Sequence, residues 1–83
     1  MDENLSHLIP AVQEQLDSVA TPYVREAYER ILKEDDIDSK EALNMIAFCL
    51  ADEIEALDRE KRDFSEERYQ LLLGLLPVMP EGR

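Results

Sequence analysis

One cysteine, one histidine, two glycines and no tryptophan occur in 83 residues, and each shortage removes a class of answer. A single thiol, Cys49, cannot close an intrachain disulfide, and His7 alone cannot assemble a structural zinc site. Two glycines cannot make a phosphate-cradling loop. Cations are scarce too. Nine Lys and Arg stand against twenty Asp and Glu, a formal charge of −11, so the clustered positive charge that nucleic-acid phosphates require is missing and no nucleic-acid partner is expected. The same charge opposes adsorption to an anionic membrane surface. Long apolar runs are absent as well: Met45 to Ala51, and Leu71 to Pro80 counting Gly74 and Pro77, fall far below the ~20 residues that span a bilayer. The opening MDENLSH has neither the basic region nor the apolar stretch of a signal peptide. A cytoplasmic protein with a reduced thiol is the expectation.

Catalytic constellations are equally thin. His7 projects off its helical stripe, away from Cys49, so no base is placed to activate a nucleophile. Cys49 lies in MIAFCLA beside Asp52 and Glu53, where a thiol behaves as a small buried hydrophobe and no positive charge favours the thiolate. No Glu-x-x-His pair of the di-iron bundles occurs. No catalytic residue, metal ligand or cofactor is therefore assigned.

What is present is helix. Apolar residues form 45% of the chain and charged residues 35%, a globular composition with the charge content of exposed helices. Residues 1–83 make one domain, since a chain this short fills one core and buries only ~60–65% of its unfolded surface. With disulfide and zinc excluded, self-association is the remaining staple.

The periodicity predicts an all-α domain of four helices in two hairpins, over 7–19, 22–33, 39–60 and 66–76. Leu5, Leu8, Ile9, Val12, Leu16 and Val19 form the first stripe, with Pro10 at or near the first turn. Thr21 as N-cap and Pro22 at the first position start the second helix, whose apolar face is Tyr23, Val24, Ala27, Tyr28, Ile31 and Leu32. Glu26 with Arg30, and Glu29 with Lys33, are spaced as i, i+4 pairs. The acidic run Glu34 to Asp38 superficially resembles a calcium loop, but it lacks the glycine at the sixth position and the glutamate at the twelfth. Asp38 reads instead as the N-cap of the third helix, with Glu41 completing a capping box.

The third helix is the longest pattern. Leu43, Ile46, Ala47, Leu50, Ile54 and Leu57 fall on one stripe at ~100° per residue, while Met45 and Phe48 project from the other side. Glu55 with Arg59, and Asp58 with Arg62, are further i, i+4 pairs at its exposed end. Ser65 caps the fourth helix and Phe64 staples onto Tyr69. Tyr69, Leu72, Leu73 and Leu76 face inward, and Pro77 stops the helix. Gly74 implies that the helix ends there or that something packs closely against it. Leu71 and Leu75 point outward, followed by Val78 and Met79. The expected core is Leu8, Val12, Leu16, Ala27, Ile31, Leu43, Ile46, Leu50, Ile54, Leu57, Tyr69, Leu72 and Leu73.

Gln13-Glu14-Gln15-Leu16, Pro22 with VREAYERIL over Val24 to Leu32, and Lys40-Glu41-Ala42-Leu43-Asn44-Met45-Ile46 resemble an uncharacterised family of small helical bacterial proteins, with the pattern QxQL, P-x-[VI]RxAYERLL and HEAxHxI, over about residues 5 to 76. The resemblance implies a helical fold. That family places histidines four apart in its first and third helices. Here the corresponding positions are Leu5 and Ile9, then Lys40 and Asn44, none of which serves as a zinc ligand.

Apolar helical faces without a catalytic constellation point to a non-enzymatic interaction or assembly module, with Met45, Phe48, Leu71 and Leu75 as its interface. Homodimerisation, or a basic or helical protein partner, follows from that face. The alternative is a metal- or small-ligand-binding protein that uses acidic side chains or an interhelical pocket. An acidic mimic of nucleic acid is a third reading and requires the charge to be ordered on one face.

Overall fold

A computed structural model describes residues 6–76. Within them the chain forms a 3-10 turn, Ser6–Leu8, and four α-helices: α1 (Ile9–Asp17), α2 (Pro22–Leu32), α3 (Ser39–Glu60) and α4 (Glu66–Leu75). Leu5, Pro77, Val78 and Met79 lie outside the described residues.

Pro10 falls in the first turn of α1, where its missing N–H costs nothing. The helix stops at Asp17, two residues before its expected end, because Ser18 turns extended. Val19, expected on the apolar stripe, is consequently carried out on the turn and is 97% exposed. Thr21 does not cap α2 as expected. Its hydroxyl reaches back and donates to the Gln15 carbonyl at 2.9 Å, satisfying an end of α1 instead. This bond, with Arg25 Nε donating to the Leu16 carbonyl at 2.8 Å, ties the α1–α2 hairpin shut.

Asp38 and Ser65 cap as their positions predict. Asp38 Oδ1 accepts from the Glu41 N–H at 2.9 Å and Ser65 Oγ from the Arg68 N–H at 3.1 Å. Lys61 ends α3 in the left-handed region, φ 55°, and the Arg62 N–H bonds the Leu57 carbonyl around it.

The two hairpins share a core of Val12, Val24, Ala27, Ile31, Ala42, Ile46, Ala47, Cys49, Leu50, Tyr69, Leu73 and Leu76. Leu8, Leu16, Leu43 and Leu72 are half-buried against it. Ile54 is a correction: it is 40% exposed. The buried face of α3 runs through Ala42, Ile46, Cys49, Leu50, Glu53 and Ala56, rotated by roughly 60° from the Leu43–Ile54 stripe at 100° per residue. Beside Ile46 and Leu50 that face is made of small residues and one carboxylate, so counting large apolar side chains misplaces it. Leu57 is half-buried and outside the core cluster, whereas its neighbour Ala56 is fully buried. Gly74 neither ends α4 nor is packed against: a Cβ there would meet nothing within 4 Å.

Candidate functional site

The α3–α4 hairpin is locked by a carboxylate that is itself buried. Glu53 exposes nothing to water, yet its cover is one layer thick, formed by the guanidiniums of Arg62 and Arg68, whose side chains are 28% and 36% exposed. Arg62 donates to both Glu53 oxygens at 2.8 and 3.2 Å, Arg68 at 2.9 Å and the Ser65 N–H at 2.7 Å. The Arg62 hydrogen bonds, then those from Ser65 and Arg68, overcome the opposing effect of burial and hold the Glu53 carboxyl at about 2. Both guanidiniums are stabilised as cations in return. Arg62 thereby pairs with Glu53 and Glu60 instead of Asp58. The network is closed. Among the described residues no buried side-chain nitrogen or oxygen lacks a partner.

Arg68 also reaches Asp52 at 2.7 Å. That bridge, with the Ser65 N–H on Glu53, fixes the register of the hairpin. Residue numbers thus fall along α3 as they rise along α4, the antiparallel arrangement that the short 61–65 connection requires. One turn from the bridge, Phe48 and Leu71 occupy the outward edges of the two helices, and Leu75 lies one turn further on. Phe48 is 38% exposed, Leu71 67% and Leu75 58%. Three of the four expected interface residues are therefore exposed large apolar side chains, and Phe48 and Leu71 lie one turn from the same bridge on facing helices. Met45, the fourth, is half-buried and packs against the core. Glu41 and Glu55 on α3 and Glu67 on α4 are exposed.

The opposite end of α4 is held by α2. Arg30 donates to the Leu73 and Leu76 carbonyls at 2.8 and 3.1 Å, adding to the Leu76 N–H that already bonds the Leu73 carbonyl at 3.2 Å and supplying a donor to the Leu76 carbonyl at the helix end. It does this in place of the expected pair with Glu26. Tyr23 meets Tyr69 edge-on at 6.0 Å, Phe64 meets it from the other side at 5.6 Å, and the Tyr69 hydroxyl donates to Gln15 Oε1 at 2.7 Å. Tyr69 thus ties α4 to α1, α2 and the α3–α4 loop. Its ionisation is pushed up, chiefly by burial.

Cys49 is fully buried, and burial followed by Asp52 pushes its thiol up to about 12, so it stays protonated. Among the described residues, no group of three or more His, Cys, Asp and Glu side chains could hold a metal ion. An open groove of about 450 Å³ lies at the α1–α2 turn between Leu16, Val19 and Glu29. Its cation, Arg25, is already bonded to Asp17, Glu29 and the Leu16 carbonyl. No described helix is long and apolar enough to cross a membrane.

Glu53 and Arg30 make the structural contacts that pattern reading missed. The signal for Glu53 was its place between Ala42, Ile46, Cys49 and Ala56 on one helical face. Compared with protein-family models, curated proteins and solved structures, the chain matches none.

Proposed function

We propose that the protein is a non-enzymatic helical interaction module whose working surface is the Phe48–Leu71–Leu75 strip of the α3–α4 hairpin. The observation that carries this reading is the exposure of three large apolar side chains along one seam whose geometry is fixed by the Asp52–Arg68 bridge. Scattered exposed apolar residues need no explanation, whereas a contiguous set on a rigid scaffold has the character of an interface. A second copy of the chain and a basic or helical protein are both occupants of this class. The buried, protonated Cys49 suits work in a reducing cytoplasm.

Site-specific photocrosslinking tests the reading. A benzophenone amino acid at Leu71 or Phe48 gives a discrete adduct in the native cell, and the same group at Glu29 or Glu14, on α2 and α1, does not. Equal adducts from all positions, or none from the strip, would remove it.

A further inference from the structure

The strip does not suit a second copy of this chain. Exposures of 38%, 67% and 58% on one Phe and two Leu leave a few hundred Å² of apolar surface, a small apolar centre for a twofold interface that buries ~800 Å² per partner, polar and apolar together. A twofold dimer is also self-complementary, so each copy would bring its own rim onto the other's. That rim is acidic. Glu41, Glu55 and Glu67 are exposed along it, Arg68 is neutralised by Asp52 and Glu53, and Arg59 lies a turn beyond Glu55. Each copy carries −11 overall, and repulsion between like rims acts within the ~8–10 Å over which salt leaves charge unscreened. Gly74 adds a shape argument. It sits inside α4 beside Leu71 and Leu75, and a Cβ there would meet nothing. Packing within the chain therefore gives no reason for the flexible residue, while a backbone approaching from outside would gain from it.

We propose that the Phe48–Leu71–Leu75 strip docks a cationic amphipathic helix, with large apolar side chains at i, i+3 or i+4, and i+7 and with Lys or Arg flanking them. The apolar anchors lie along the seam and the flanking cations meet Glu41, Glu55 and Glu67. A narrow strip is sufficient for this occupant, because one helix needs only a few anchors. The proposal rests on the interaction-surface reading given above and names the chemistry of its partner.

Fluorescence anisotropy with a labelled, roughly 18-residue Leu/Ala/Lys amphipathic peptide tests it, beside a twin in which every Lys is Glu. The Lys peptide is expected to bind with an affinity that falls as salt rises, and the Glu twin to show no binding. Leu71→Gln with Leu75→Gln keeps good helix formers on an exposed face and weakens binding at least ~tenfold; Phe48→Gln, on the other helix, gives the same direction. Binding unchanged in these variants means adhesion by charge alone and overturns the proposal. A dimer detected by sedimentation and lost in the Leu71→Gln/Leu75→Gln protein, with no peptide binding, overturns it in favour of a second copy and leaves the strip as the interface. A monomer that binds neither peptide overturns it as well, and crosslinking from Leu71 then decides whether the strip has any partner.

Discussion

Glu53 is the residue on which the hairpin depends most. Replacing it with Gln removes the charge but not the shape, leaving two guanidiniums beside an uncharged amide; breaking a buried pair costs ~3–5 kcal/mol, and the half-exposed arginines reduce that to about 2–3 kcal/mol here. Thermal unfolding of Glu53→Gln measures it. Acid gives an independent check. The carboxyl titrates near 4.5 when unfolded and at about 2 when folded, so its contribution is whole above pH 4.5 and is lost as pH falls towards 2. The stability gap between the wild type and Glu53→Gln therefore narrows over that window in urea titrations. Gly74→Ala, in open space inside α4, is expected to raise stability by ~0.5–1 kcal/mol. Lys61→Gly, at φ 55°, should raise it by about the same amount, since glycine adopts the left-handed region without a Cβ clash. That Glu53 shares a helical face with Ala42, Ile46, Cys49 and Ala56 was legible in the sequence, but the partners that let a carboxylate sit there, Arg62 and Arg68, lie nine and fifteen positions later and are invisible to a helical wheel.

At the scale of elements, boundaries followed local chemistry closely. Asp38 and Ser65 cap, Pro10 and Pro22 sit in first turns, and Phe64 staples onto Tyr69. Those signals lie within a few residues of what they control, which is why they were legible. Thr21 shows the limit. Its neighbour Pro22 announced the start of α2, but the hydroxyl chose the Gln15 carbonyl across the turn. Arg30 is a second case, since its acceptors at Leu73 and Leu76 are more than forty residues away. Arg30→Met keeps the aliphatic stem and loses the carbonyl bonds. It should destabilise by about 1–2 kcal/mol, with the loss concentrated at the end of α4, as amide hydrogen exchange would report. The face of α3 was legible only to within its rotation: Leu43 and Leu57 suggested one stripe, whereas Ala42, Cys49 and Ala56 define the buried one.

At the scale of the molecule, two hairpins pack with a radius of gyration of 12.2 Å, close to the ~12 Å of a compact chain of this length. Four helices, their order and their pairing followed from periodicity and short turns. The register of α3 against α4 did not, because it is set by the long-range contacts of Glu53 and the Asp52–Arg68 bridge. That register sets Phe48 and Leu71 one turn from the same bridge, and together with the charge of −11 it is the ground for the cationic partner proposed above. The most direct measurement is a two-dimensional nitrogen–proton NMR titration of the labelled protein with the Lys-rich amphipathic peptide. Shift changes are expected to concentrate at Phe48, Leu71 and Leu75, with Gly74 among them, and to leave the α1–α2 turn unmoved. Changes centred on Leu16 to Glu29, or spread evenly over the acidic surface, would contradict the assignment of the α3–α4 seam as the working face.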